Sequence, residues 1–164
     1  MIRFYDVDSD YIEYLKKFDR QIPSVKYSSN NKFVCGVVLH IEGHNYFAPI
    51  SSNKQRQRTS ILICDKRGRC LSSIRFSFMF PAKFSELQMK DFSQIRLQDA
   101  NYANLLLSKY EFCREHETEI LEKAKSVYRI GCNPKHKLNA MCCNFKKLEE
   151  VYTLYNTSNA SHKV

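Results

Sequence analysis

Residues 32–50 read KFVCGVVLHIEGHNYFAPI, and this stretch decides the fold class. Its first part, residues 32–41, is rich in Val, Ile and Phe, which favour β-strands. Residues 42–45 predict a turn, and residues 46–50 predict a second strand. Because parallel strands need a long crossover, a connection this short indicates antiparallel pairing. We therefore expect a β-hairpin within an antiparallel sheet.

The chain before this hairpin predicts one strand and one helix. Residues 2–7 resemble a short strand, and Asp8 or Ser9 can cap a helix that runs to about Phe18. A loop is expected over residues 19–31. After the hairpin we expect a strand at residues 59–64, a turn at 65–68 and a long strand ending near Phe80 and Pro81.

Beyond Pro81 the pattern becomes helical. One helix is expected to begin after Asp99, a second to end at Gly131 and a third to begin near Asn144. Strands followed by helices indicate an α+β domain with a strongly twisted antiparallel sheet, a partial barrel, surrounded by helices. We predict a single domain over residues 1–155 and a flexible C-terminal tail over residues 156–164.

Composition bounds the location and partners of the protein. The 164 residues carry a net charge of +9, which favours a polyanionic partner. The N-terminus has no signal-peptide pattern, and no apolar run is long enough for a membrane helix, so we expect a cytoplasmic protein with no membrane contact. Seven cysteines without regular spacing predict free thiols in such a compartment.

The positive charge is clustered, which favours nucleic acid over a diffuse solvated surface. The candidate RNA-binding residues are Lys26, Arg56, Arg58, Lys66, Arg67, Arg69, Lys146 and Lys147.

Several catalytic chemistries lack their usual residues. Cys132, His136, Cys142 and Cys143 lie close in sequence, but adjacent cysteines are poor zinc co-ligands, so we expect no metal site. The sequence has no carboxylate cluster typical of two-metal hydrolysis and no glycine-rich phosphate loop. The five histidines are scattered, and we expect no cofactor.

The remaining candidate site follows the second strand of the hairpin. Ser51, Ser52 and Lys54 supply two hydroxyls and a positive charge, which suit a phosphate. The hairpin can bring Lys32 towards the serines, and two lysines near one phosphate would depress each other's pKa. Tyr11 and Tyr27 can stack on bases or bind a phosphate. From the residues alone, an ordinary surface loop is the favoured interpretation, because two serines followed by a lysine are common in loops.

The order of several motifs resembles the ToxN and AbiQ family of endoribonuclease toxins. The resemblance begins with Arg3-Phe4-Tyr5 and includes residues 11–15, 32–39 and 43–54. It continues through residues 75–81, Arg-Phe-Ser-Phe-Met-Phe-Pro, and ends with residues 143–150. No single motif is diagnostic, but together they cover nearly the whole chain.

This resemblance implies a fold similar to the MazF and Kid ribonucleases and RNA cleavage without a metal. It implies 2′,3′-cyclic phosphate and 5′-hydroxyl products, and inhibition by a small repeat-derived RNA pseudoknot that the toxin also processes. A protein–RNA oligomeric assembly and cellular RNA substrates are further implied. The matching catalytic positions are Lys32, Ser51, Ser52, Lys54, Tyr27 and Tyr11.

Two departures from the family pattern are visible. Ser51 stands where some relatives have Thr, which keeps the hydroxyl, and Arg56 lies where relatives can have an aromatic residue. An arginine contact can therefore replace base stacking at that position. The alternative to an enzyme is a non-catalytic RNA-binding regulator that uses the same basic surface, and a DNA-binding repressor is less favoured because no helix-turn-helix stands out.

Overall fold

The computed structural model describes residues 1–23 and 35–156. The strands are β1 (Phe4–Val7), β2 (Cys35–Ile41), β3 (His44–Ser51), β4 (Ser60–Cys64), β5 (Cys70–Arg75), β6 (Phe80–Pro81) and β7 (Leu87–Met89). The helices are α1 (Ser9–Lys16), α2 (Phe92–Gln98), α3 (Ala100–Glu115), α4 (Glu117–Gly131) and α5 (Phe145–Val151). The predicted tail lies almost wholly outside these residues.

The strands form one open antiparallel sheet in the order β4-β5-β3-β2-β1-β7, with β6 also paired to β3. The predicted hairpin is confirmed as β2 and β3, in which Val38 lies opposite Phe47. Its turn is tighter than expected, because Glu42 and Gly43 alone form it, with φ of 49° and 80°. Positive φ at both positions is the geometry that matches the twist of a hairpin. The α+β class with an antiparallel sheet is confirmed, and the sheet is not closed.

The prediction of one long strand up to Pro81 is wrong. The strand breaks after Arg75 into a 3-10 turn at Phe76–Phe78 before β6 begins. Continuing the pairing of Ile50 with Ile74 would put Ser77 opposite Phe47, but Phe80 lies there instead. The turn therefore inserts three residues between two segments that pair with the same strand, as an enlarged bulge does.

The prediction that the chain is only helical after Pro81 is also wrong. A short edge strand, β7, pairs with β1 through Tyr5 and Met89, and α2 then precedes the first predicted helix. The three residues of β7, Leu-Gln-Met, carry no β-branched or aromatic side chain. Pairing with β1, rather than local propensity, determines this strand.

The other helices begin where their caps predict. Asp8, Asp99 and Asn144 each accept a backbone hydrogen bond at the N-cap of α1, α3 and α5. Gly131 is the last residue of α4, as expected. Within the described ranges, no helix is long and apolar enough to cross a membrane.

The two faces of the sheet are covered differently. Phe4, Val37 and Tyr46 point to one face, where Phe4 packs against Tyr110 of α3 and Tyr46 against Phe145 of α5. Phe47 points to the other face and packs on Phe80, which contacts α1. We call this second side the α1 face. Because side chains alternate along a strand, Ser51 also lies on the α1 face.

Candidate active site

The end of β3 carries the hydroxyl and lysine groups that the sequence singled out. Ser51 is half-buried, while Ser52 and Lys54 are exposed. The Ser51 Oγ accepts a hydrogen bond from the Asn53 backbone N–H at 3.1 Å, and the Asn53 Oδ1 accepts from the Gln55 N–H at 2.8 Å. Two successive side-chain turns therefore fix the backbone that presents Ser52 and Lys54.

A buried serine from the neighbouring strand anchors this turn. The Ser73 hydroxyl donates to the backbone carbonyl of Asn53 at 2.6 Å. Ser73 is fully buried and lies directly opposite Ser51 in the pairing of β3 with β5. Ser51 and Ser73 therefore hold the two sides of the same turn. Nothing in the sequence pattern singled out Ser73, because its partner is a backbone atom 20 residues away.

Tyr11 does not lie at this site. Its side chain is fully buried, and its hydroxyl donates to the Pro81 carbonyl at 2.5 Å. Burial, together with nearby Glu86, raises the pKa of Tyr11 far above its ordinary value. The interpretation of Tyr11 as an RNA contact therefore disagrees with the structure, because a residue in this position joins α1 to β6 and meets no solvent. An aromatic side chain such as that of Tyr11 suits the hydrophobic core as well as an RNA-binding site, so the sequence alone did not separate the two.

Lys26, Tyr27 and Lys32 fall within residues 24–34, outside the described ranges, so their predicted roles stay predictions.

Two of the three basic clusters lie in the connections that follow β3 and β4. Arg56 and Arg58 are exposed in the connection from Lys54 to β4. Lys66, Arg67 and Arg69 occupy the turn between β4 and β5, and the charges in this turn are partly compensated. Arg69 Nε lies 2.7 Å from the Asp65 carboxylate, and Lys66 Nζ lies 3.8 Å from the Glu111 carboxylate.

The third basic cluster is separate from the site. Lys146 lies on α5 and binds the Tyr128 hydroxyl at 2.9 Å and Glu149 at 3.4 Å. Glu149 also accepts from Tyr46, which lies five residues before Ser51 on β3 and points to the opposite face. A strand of that length spans about 17 Å. The structure therefore does not bring Lys146 and Lys147 together with Ser52 and Lys54.

A second group of titratable side chains surrounds Glu149. Its carboxylate accepts from Tyr46 at 2.7 Å and Tyr128 at 2.6 Å, and His44 Nε2 lies 3.8 Å away. Burial would raise the pKa of Glu149, but the hydrogen bonds from Tyr128 and Tyr46, together with the charges of His44 and Lys146, outweigh burial and lower this pKa. All near partners belong to β3, α4 and α5, so this group links helices to the sheet.

Among residues 1–23 and 35–156, no three His, Cys, Asp or Glu side chains are grouped so that they could hold a metal ion. The seven cysteines are free thiols in the structure, as expected. Cys142 and Cys143 are buried, and burial raises the pKa of Cys142 to about 11.

An open antiparallel sheet with a hydroxyl- and lysine-bearing turn beside exposed arginines defines an α+β protein with a site suited to phosphate groups. Residues 3–153 match the family model described as Toxin ToxN, type III toxin-antitoxin system. The chain therefore belongs to the ToxN family of type III toxin–antitoxin toxins.

Curated relatives agree with this assignment. The Endoribonuclease ToxN of Pectobacterium atrosepticum is 31% identical over 92% of this chain and 92% of its own length. The Endoribonuclease ToxN of Bacillus thuringiensis subsp. kurstaki is 29% identical, covering 90% of this chain and 81% of that protein. The Endoribonuclease AbiQ of Lactococcus lactis subsp. lactis is 28% identical, over 94% and 90% respectively.

Solved structures have the same fold. One, from work on selective toxin inhibition by a non-coding RNA pseudoknot, superposes with a TM-score of 0.86 at 27% identity. The superposition covers 94% of this chain and 97% of the solved chain. The structure of AbiQ, an anti-phage endoribonuclease, gives a TM-score of 0.78 at 23% identity over 94% and 98%, and supports the fold alone.

Proposed function

We propose that this protein is an endoribonuclease that cleaves RNA without a metal ion, through attack by the 2′-hydroxyl of the RNA itself. The observation that carries the proposal is the turn after β3. There, buried Ser73 anchors a backbone that presents Ser52 and Lys54 to solvent, next to Ser51. Family membership supports RNA as the substrate, because the curated relatives are named endoribonucleases.

The proposed reaction is a transesterification. The 2′-oxygen bonds to the adjacent phosphorus while the bond from phosphorus to the 5′-oxygen breaks. A base takes the proton of the 2′-hydroxyl, and an acid protonates the leaving 5′-oxygen. The products are a 2′,3′-cyclic phosphate and a 5′-hydroxyl, and no water is consumed in this step.

The described residues suit the phosphate in this reaction. Negative charge grows on its non-bridging oxygens in the transition state, so fixed donors at that point accelerate the step. The Ser51 Oγ accepts from Asn53, which leaves its own proton free for donation to an oxygen. Exposed Ser52 supplies a second hydroxyl and Lys54 a positive charge. We assign these three residues to transition-state stabilisation.

Proton transfer is assigned to residues 24–34, which lie outside the described ranges. Lys32 is the leading candidate for proton transfer or charge stabilisation, and Tyr27 for contact with a base or phosphate, both on the resemblance to the family. Tyr11 is left out of the assignment because it is fully buried. We place the catalytic domain at residues 1–155 and its activity in the cytoplasm.

We further propose that a small RNA, cut from tandem repeats and folded as a pseudoknot, occupies this site and inhibits the toxin. The net charge of +9 supports an RNA partner, and the structural relative studied with an RNA pseudoknot supports this type of inhibitor. The same active site would process the repeat precursor, so inhibitor and substrate would meet the same residues. A protein–RNA oligomer follows if each RNA contacts two toxin copies.

The test uses purified protein, total bacterial RNA and an excess of a metal chelator. Cleavage is expected to persist, and the new 5′ ends should accept phosphate from a polynucleotide kinase. An oligonucleotide spanning a mapped site should resist cleavage when its attacking 2′-hydroxyl is replaced by hydrogen. Cleavage of that deoxy substrate, or activity that is lost on chelation and restored by Mg²⁺, contradicts the mechanism. RNA that is bound and left intact favours the non-catalytic regulator.

A further inference from the structure

Arg75 lies on the same face of the sheet as the candidate active site. It is the last residue of β5 and pairs with Ser60 of β4. Ser73, two residues earlier, lies directly opposite Ser51. Alternate residues of a strand share a face, and so do residues opposite each other in an antiparallel pair. Arg75, Ser73 and Ser51 therefore point to one side, and diagonal neighbours of this kind have Cα atoms about 7–8 Å apart.

The guanidinium of Arg75 is held in place but not neutralised. It lies over the Phe78 ring, 5.0 Å from the ring centroid, and the side chain as a whole is half-buried. Its Nε is buried and has no hydrogen-bond partner. Among the described residues, no carboxylate forms an ion pair with Arg75, whereas Arg69 at the other end of β5 is paired with Asp65. Desolvation lowers the pKa of Arg75.

A second orphaned polar atom lies on the segment next to Arg75. The Oε1 of Gln57 is also buried without a partner. The Gln57 backbone carbonyl accepts from the N–H of Ser60, the residue opposite Arg75. Burying a charged donor without a partner costs free energy, so an orphaned guanidinium N–H is expected to find a partner in a ligand, an ion or water. Arg75 therefore has the character of a binding residue rather than a structural one.

Its chemistry fits a phosphate. Guanidinium presents a planar fork of N–H donors that binds two phosphate oxygens at once, and it stacks on aromatic rings without losing those donors. The Phe78 ring occupies the flat side of the group, so its edge remains available for the oxygens. Lysine would supply the charge without the fork.

We propose that Arg75 binds a backbone phosphate of the RNA held at the Ser51–Lys54 turn. The proposal rests on the proposed function, because it names a further phosphate-binding residue of that same site. Arg75 does not act as an acid or base; it fixes the strand beside the reacting 2′-hydroxyl and offsets charge on a phosphate.

The test compares Arg75→Lys and Arg75→Met with the wild type. Arg75→Met removes the charge at similar volume, and we expect cleavage to fall about 10²–10³-fold, as for loss of one fixed donor. The cleavage rate of Arg75→Lys is expected to lie between those of the wild type and Arg75→Met, because lysine keeps the charge and lacks the planar fork of donors. The melting temperature of Arg75→Met should be unchanged or higher, since an unpaired buried charge is replaced by an apolar group. Arg96→Met, an exposed arginine on α2 beside the opposite edge of the sheet, is the matched control and should behave as wild type.

Binding is measured with a single-stranded RNA of 2′-O-methyl nucleotides, which cannot be cleaved. The slope of log affinity against log salt should lessen by about 0.7 in Arg75→Met, the value for one phosphate contact on a single strand. If Arg75 contacts the scissile phosphate, Arg75→Met should lower kcat. If it contacts a flanking phosphate, Arg75→Met should raise KM. Either result supports the proposal. If the wild type cleaves RNA, and Arg75→Met is equally active and shows the same salt slope, the proposal for Arg75 is overturned. If the wild type itself leaves RNA intact, the proposed function fails, and the salt slope alone then decides whether Arg75 binds phosphate.

Discussion

The Ser73 hydroxyl donates a 2.6 Å hydrogen bond to the Asn53 backbone carbonyl, and so joins β5 to the turn that presents Ser52 and Lys54. This bond links two segments that are 20 residues apart in the chain. The turn has its own local hydrogen bonds, and the bond from Ser73 ties it to a neighbouring strand. The position of the proposed catalytic groups therefore depends on a residue that is itself fully buried.

Ser73→Ala tests this positioning role. We expect kcat to fall about 10–100-fold with little change in KM, because a small displacement of a catalytic group is costly in rate. The free energy of unfolding should fall by about 1 kcal/mol for the lost hydrogen bond. Both quantities are measured on a cleavable RNA oligonucleotide and by urea denaturation.

Ser72→Ala is the matched control for Ser73→Ala. Ser72 is the neighbouring residue and is equally buried, but its Oγ has no partner, so its removal should be neutral or stabilising. Equal losses of rate in the two variants would mean that Ser73 contributes only to packing.

Ser52→Ala and Lys54→Ala test the catalytic assignment. Removing a donor that acts on the transition state should lower the cleavage rate about 10²–10³-fold while binding is retained. Both residues are exposed, so neither variant should lose stability. The measurements are single-turnover cleavage and growth on induction, and both variants should be harmless to cells.

The control for Ser52→Ala is Ser93→Ala, an exposed serine on α2 at the other edge of the sheet, which should remain toxic. Lys32→Ala is tested in the same assays and is expected to resemble Ser52→Ala. Full toxicity of Lys32→Ala would remove Lys32 from the catalytic assignment.

The salt dependence of RNA binding locates the basic surface. Arg56 and Arg58 lie two and four residues after Lys54 and are exposed, so Arg56→Ala should lessen the slope of log affinity against log salt by about 0.7, the value for one phosphate contact on a single strand. Lys66→Ala should have a smaller effect, because Glu111 already compensates its charge. The measurement uses the uncleavable 2′-O-methyl RNA at several salt concentrations, with Arg96→Ala as the control. An unchanged slope in Arg56→Ala would place the RNA elsewhere on the protein.

The half-buried carboxylate of Glu149 makes the free energy of unfolding depend on pH. Hydrogen bonds from Tyr128 and Tyr46 lower the pKa of Glu149 in the folded state below its unfolded value of about 4.5. A lowered folded pKa contributes stability that is present above the unfolded pKa and lost as the pH falls below it. Glu149→Gln should therefore reduce the free energy of unfolding at pH 7 and flatten its decline below about pH 4.5.

Urea denaturation at pH 7 and at several pH values below 4.5 measures this effect. Glu150→Gln is the matched control, because Glu150 is exposed and its only described ion pair is a surface contact with Lys147. Tyr46→Phe should lower the free energy of unfolding by about 1–3 kcal/mol, since it removes a donor to a half-buried charge. If Glu149→Gln and Glu150→Gln show the same pH profile, Glu149 is not the group responsible.

The sequence by itself determined the parts of this protein whose signals are local. The β2–β3 hairpin follows from apolar runs flanking Glu42 and Gly43, and three helix starts follow from the capping side chains of Asp8, Asp99 and Asn144. These features depend on residues within one turn or one strand of each other, so spacing alone reveals them. The motif that ends with Lys54 was visible for the same reason, and the family resemblance gave it a meaning that its composition did not.

Only the tertiary structure decided which groups share a face and which lie apart. Tyr11 suited both a site and a core by its chemistry, and packing between α1 and β6 placed it in the core. Lys146 belonged to the same charge pattern as Arg56, yet its helix packs on the opposite face of the sheet. Ser73 gave no signal, and Arg75 appeared only as the first residue of the 75–81 motif with no role attached. Strand pairing between distant segments creates the positions of both residues beside Ser51. Such pairing depends on how the whole core packs, and a pattern with period two cannot say which face will be buried.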